Sequence, residues 1–119
     1  LASRRVAQLD VEPAVWYERA LRLEESDAEA AIDAYRRVLS LDPTDADARA
    51  NVGRLLHEAG RVSEAEQEFR LALEHDPRHA TASFNLGVSL EDSGRLKPAR
   101  DAYLRALELD PDLEVAHYN

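Results

Sequence analysis

The 119-residue sequence has no cysteine and no methionine, only one tryptophan and two phenylalanines, and four glycines. Without cysteine there is no disulfide framework, no thiolate metal site and no catalytic thiol. Apolar runs are only a few residues long, so no segment spans a bilayer and no signal peptide is visible. A cytoplasmic location is expected. Lysine is almost absent, Lys97 being the single one, and the formal net charge is −9. Nucleic-acid binding needs a basic stripe, which this composition does not supply, and an anionic membrane surface is disfavoured for the same reason. The β-branched and aromatic residues that favour strands are sparse.

Alanine, leucine, glutamate and arginine dominate instead, and they predict an all-α domain with a modest core. The preference for arginine over lysine, with abundant alanine, points to the expectation of a GC-rich bacterial genome. The chain opens on Leu1, so it is expected to be a piece of a longer protein.

The four glycines fall in two related phrases, "ANVGRLLHEAGR" at 50–61 and "FNLGVSLEDSGR" at 84–95. Gly53 and Gly87 interrupt segments with helical periodicity, where glycine costs about 1 kcal/mol relative to alanine. The two phrases lie 34 residues apart, and so do the Asp–Pro pairs at 42–43, 76–77 and 110–111. A fixed period of this length marks a solenoid. Within each period the apolar residues recur at three and four, giving two helices. Helix A of the second period carries Val52, Gly53, Leu56 and Ala59, and helix B carries Ala65, Phe69, Ala72 and Leu73. In the third, Leu86, Gly87 and Leu90 are followed by Ala99, Tyr103, Ala106 and Leu107.

This pattern resembles the tetratricopeptide repeat, W-x2-L-G-x2-Y, then A-x3-F, then P. Arg49, Val52, Gly53, Leu56, Ala65, Phe69 and Pro77 occupy its slots once. Ser83, Leu86, Gly87, Leu90, Ala99, Tyr103 and Pro111 do so again. A first repeat is read from Trp16, Ala20, Leu23, Ala31, Tyr35, Val38 and Pro43, with a turn one residue shorter and Arg19 in an apolar slot. A terminal repeat is expected to be atypical, because one face meets no neighbour. The resemblance implies a right-handed α-solenoid of antiparallel helix pairs. The expected divisions are an N-terminal segment 1–13, repeats at 14–45, 46–79 and 80–113, and the first helix of a fourth beginning at 114–119.

Gly53 and Gly87 are expected to face Ala65 and Ala99 where two helices approach closely. On that reading Gly53→Leu overpacks, whereas Gly53→Ala is nearly neutral. Gly60 and Gly94 follow helix A, where a left-handed residue ends a helix. Each Asp–Pro pair stops a helix B, Thr44 and Asp47 supply a cap and a first-turn acid, and Pro98 lies in the first turn of its helix.

No constellation for catalysis emerges: there is no phosphate loop and no Ser–His–Asp arrangement with supporting glycines. His75 and His79 have metal-pair spacing, but Pro77 separates them, so both read as exposed loop histidines. Glu24, Glu25, Glu64, Glu66 and Glu68 read as carboxylates of outer faces and turns. No cofactor and no metal are expected.

What remains is a surface. In the family it resembles, helix A lines the concave side, which places Tyr17, Asn51, Arg54, His57, Phe84, Asn85, Val88 and Asn119 along a groove. Tyr17 and Phe84 read either as apolar anchors for a ligand or as cover for core edges. Asn51, Asn85 and Asn119 share one repeat slot, and their amides either hold an extended peptide backbone or bond a neighbouring loop. Members that clamp a C-terminal carboxylate use lysine and asparagine of successive A helices. Here Ala50 and Val115 fill the basic slots, so a clamp is not expected.

The reading is therefore a protein–protein interaction module whose partner is a protein or peptide held in the groove. Two other readings remain at this level: an arm of a protein O-glycosyltransferase-like enzyme, or an accessory segment of a bacterial regulator. End-to-end self-association through the edge at "EVAHYN" is a further expectation, since an array buries its terminal face only against a neighbour or a polar cap.

Overall fold

The computed structural model describes residues 12–113, and within them every regular element is an α-helix. They are α1 (Pro13–Leu23), α2 (Ala28–Leu41), α3 (Ala46–Glu58), α4 (Val62–His75), α5 (Ala80–Asp92) and α6 (Leu96–Leu109). The expected start of a fourth repeat, with Val115, Tyr118 and Asn119, lies outside the described residues, as do residues 1–11.

Local chemistry sets the helix ends. Asp42, Asp76 and Asp110 each close a helix, their backbone N–H groups donating to Val38, Ala72 and Ala106 carbonyls four residues back. Each side chain then accepts the N–H two residues on, from Thr44, Arg78 and Asp112, all at 3.1 Å. The proline in between has no N–H to give the helix, so the chain turns here. After α3 and α5 the chain passes through Gly60 (φ +83°) and Gly94 (φ +81°), as expected. Arg61 and Arg95 then donate to the Leu56 and Leu90 carbonyls at 2.9 Å, which satisfies carbonyls that a helix end leaves open.

The N-terminal caps correct two sequence readings. The cap of α3 is Asp45, which accepts from the Ala48 N–H at 2.9 Å, whereas Thr44 is taken up by the Asp42 turn. Asp47 does fall in the first turn. His79 is not a loose loop histidine: its Nδ1 accepts the Ala82 N–H at 3.0 Å and caps α5. It stands at the slot of Asp45 one period on, where a ring nitrogen replaces a carboxylate oxygen.

Each helix packs antiparallel on the next, α3 also touches α5, and Asn51 of α3 is bonded to Tyr17 of α1, so the A helices α1, α3 and α5 share one side. The core runs through the stack as Tyr35, Val38, Val52, Leu55, Leu56, Phe69 and Leu90, each at most 2% exposed. Gly53 and Gly87 admit the aromatic residues of the following helix, not the alanines. A Cβ on Gly53 would lie 2.6 Å from Phe69 Cε1, and one on Gly87 would lie 2.7 Å from Tyr103 Cδ1. Three ring atoms come within about 3 Å of each Cβ position, so even a methyl group overlaps the ring. The expectation that Gly53→Ala is neutral is therefore corrected.

Two carboxylates assigned to the outer surface are instead structural. Glu68 is buried and pairs with Arg36 of α2 at 3.1 Å and Arg49 of α3 at 3.4 Å, joining three helices. Glu24, just past α1, takes Arg54 Nη2 at 2.6 Å and the Tyr35 hydroxyl. Tyr35 is held protonated well above the ordinary tyrosine range, first by burial and then by its bond to Glu24.

Candidate functional site

The A helices carry one stripe at spacing i, i+4, i+7, i+11. In α3 it reads Asp47, Asn51, Arg54 and Glu58, and in α5 Thr81, Asn85, Val88 and Asp92. Between the stripes is an open cavity of about 220 Å³, walled by Tyr17 of α1, by Asp47, Asn51 and Arg54 of α3, and by Thr81 and Asn85 of α5, with His79 at the start of α5. The predicted residues Tyr17, Asn51, Arg54 and Asn85 are thus brought together.

The two asparagines have different surroundings. Asn51 Nδ2 donates to the Tyr17 hydroxyl at 2.8 Å, and its Oδ1 accepts from Arg54 Nη2 at 3.4 Å. Its amide is spent on the scaffold, at least in part. Asn85 is 5% exposed and its side chain makes no hydrogen bond among the described residues, yet it stands in the cavity wall. Among the described residues the fully buried polar atoms without a partner are Arg49 Nε and Ser89 Oγ, not this amide, which the open cavity leaves accessible to water or to a ligand.

Arg54 closes one end. Burial alone would lower its basicity, but the bond and charge of Glu24 outweigh this and hold it above its ordinary value. Tyr17 rests edge-on against the Tyr35 ring, centroids 5.3 Å apart, so it covers the core while its hydroxyl reaches the cavity. Its hydroxyl is also kept protonated, by burial first and then by the charges of Asp47 and Asp45, against the lowering effect of Asn51.

The remaining predicted residues do not join the cavity. Phe84 is not an exposed anchor: it is 9% exposed, its ring 4.9 Å from that of Tyr103 between centroids. Gly87, one turn on, is what lets Tyr103 lie close enough to receive it. Val88 is half-buried, and His57 Nε2 is bonded to Asp92 Oδ2 of α5 at 2.6 Å. A second bond of this kind joins His79 Nε2 to Asp47 Oδ1 at 2.7 Å, so a His–Asp pair ties the A helices at each end of the groove. Neither pair was foreseen from sequence. His79 was findable from its repeat slot, opposite Asp45.

Residues 22–72 and residues 70–114 each match a family model described as tetratricopeptide repeat. The chain belongs to the tetratricopeptide repeat family. Among solved structures it is similar to the crystal structure of MamA, with a TM-score of 0.81 and 23% identity over 86% of this chain and 60% of that one. The chain thus spans about 60% of the length of that relative. It is also similar to the first TPR of Spaghetti (RPAP3), bound there to the HSP90 peptide SRMEEVD, with a TM-score of 0.84 and 22% identity over 92% of this chain and 87% of that one. The second TPR of the same protein, bound to the same peptide, gives 0.80 and 22% over 89% and 99%. Curated proteins give no match. No helix among the described residues is long and apolar enough to cross a membrane.

Proposed function

We propose that this chain is a protein-interaction module that holds an extended segment of a partner across the inner faces of α1, α3 and α5. The observation that carries the reading is Asn85, 5% exposed, unbonded among the described residues and set in the wall of the 220 Å³ cavity. Its amide offers both a donor and an acceptor, matching the N–H and C=O of a peptide backbone. Asn51 supports this role with whatever hydrogen-bonding capacity Tyr17 and Arg54 leave it. The peptide-bound neighbours of the same fold are consistent with such a groove. Few bonds of this type give weak, sequence-tolerant binding, because association entropy absorbs most of their gain.

The test separates scaffold from ligand. Asn85→Ala loses no internal bond, so its melting temperature stays within about 2 °C while peptide affinity falls severalfold. Asn51→Ala loses the Tyr17 bond and destabilises the fold by about 1 kcal/mol. If Asn85→Ala leaves the affinity of every bound peptide unchanged, the groove is not the binding site.

A further inference from the structure

The stripe that forms the groove ends, in every repeat, on a carboxylate. Glu58 closes the stripe of α3 and Asp92 that of α5, and Glu25 follows α1 at the matching position. All three are exposed. Glu18 stands at the asparagine slot in α1, and Asp47 opens the α3 stripe with its side chain 72% exposed. Against these acids the stripe carries one permanent cation, Arg54, already held by Glu24 at 2.6 Å and by Glu58 at 3.5 Å, and beside the stripe Arg22 pairs with Glu18 at 2.6 Å. His57 and His79 each face an aspartate, Asp92 and Asp47. The groove is therefore net anionic, through Glu25, Asp47, Glu58 and Asp92, and Ala50 occupies the slot where a carboxylate-gripping clamp has lysine.

An acidic edge alone identifies no ligand. Here Asp47 shares the cavity with the unbonded side chain of Asn85, a residue 5% exposed that can take a backbone partner there, while Glu58 and Asp92 continue the same two stripes beyond it. Resting on the groove reading above, the geometry points to a cationic extended segment as the occupant, with lysine or arginine at about every third position. Helix axes in contact lie roughly 8–10 Å apart, and an extended chain advances about 3.3 Å per residue. Three residues of the ligand thus span one repeat. The backbone bonds Asn85, while every third side chain reaches the carboxylate rung formed by Glu25, Glu58 and Asp92. The acidic peptide seen in the neighbouring structures is opposite in charge to what this groove favours.

The probe is a fluorescein-labelled dodecapeptide of four Lys-Thr-Ala units, with a Glu-Thr-Ala counterpart, read by anisotropy at low salt. The lysine peptide binds at least tenfold more tightly than the glutamate peptide. Glu25→Gln/Glu58→Gln/Asp92→Asn weakens it about tenfold, as three weak exposed pairs together allow. Asp33→Asn/Glu74→Gln/Asp101→Asn removes the same charge from exposed positions of α2, α4 and α6 and changes affinity less than twofold. Circular dichroism checks that both variants remain folded. Equal weakening by the two triple variants overturns the inference, because only diffuse attraction to an acidic protein then remains. So does a lysine peptide that fails to bind at 100-micromolar protein. Tighter binding of the glutamate peptide, lost in Asn85→Ala, overturns the cationic ligand and leaves the groove reading standing. Binding that ignores both Asn85→Ala and the groove acids sinks the two together.

Discussion

Gly53→Ala adds a single methyl group, and the structure assigns it a definite cost. The new Cβ would lie 2.6, 2.8 and 3.0 Å from Phe69 Cε1, Cδ1 and Cζ. Carbon atoms in contact prefer about 3.5–4.0 Å, so the ring must retreat by about 1 Å. Phe69 is 1% exposed and lies in the core shared by the stacked helices, so it has little room to do so. Overpacking of this kind costs about 1–3 kcal/mol, and three ring atoms moving together put it near the upper end. Replacing a helical glycine returns about 1 kcal/mol. The net expectation is a loss of about 2 kcal/mol, read as a fall in melting temperature of roughly 10 °C. Urea titration followed by circular dichroism supplies the free energy. The decisive control is the same substitution in the Phe69→Leu background. With the ring gone, the methyl group has space, and alanine should stabilise by up to about 1 kcal/mol. A change of the same sign in both backgrounds would refute the packing account. Gly87→Ala meets Tyr103 at 2.7 Å, but that ring is only half-buried and can yield, so its cost should be smaller.

Ser89 is fully buried and its hydroxyl finds no partner among the described residues, at a slot where the preceding repeat has Leu55. Ser89→Ala should therefore raise stability by about 1 kcal/mol, as the unpaired hydroxyl is removed and helix propensity improves; an unchanged or lower urea midpoint contradicts this. Glu66 accepts from Arg95 and from Arg70 at 3.0 Å. Partial burial acts to raise its pKa, but the two arginines outweigh it and hold the carboxyl below its ordinary value of 4.5. The folded state thus binds fewer protons than the unfolded state near that pH, so the contribution is present above about 4.5 and is lost as pH falls through the lower folded value. Stability curves of the wild type and Glu66→Gln should draw together as the pH falls below 4.5; curves that stay parallel throughout that fall would remove Glu66 from the acid limb.

Periodicity determined much of this protein before any coordinates. The 34-residue recurrence of Asp–Pro and of the paired glycines specifies two helices per period, where they stop, and a stack in place of a closed globule. These features are legible because each is local: proline ends a helix by its own covalent geometry, and Gly60 and Gly94 take a left-handed angle within one turn. The four residues that meet at the cavity were legible too, since equal slots in successive repeats must fall on one side of the stack.

The tertiary structure decided which groups those residues actually face. Nothing in the spacing distinguishes Asn51 from Asn85, yet one is bonded to Tyr17, 34 positions away, and the other is bonded to nothing among the described residues. Glu68 looks like any surface glutamate until α2 and α3 bring Arg36 and Arg49 to it. Phe84 looks exposed until Gly87 admits Tyr103 beside it. Backbone angles and helix ends depend on neighbours in the chain. The partner of a buried polar group or ring depends on which helix packs across from it, and the solenoid fixes that only once its repeats are stacked.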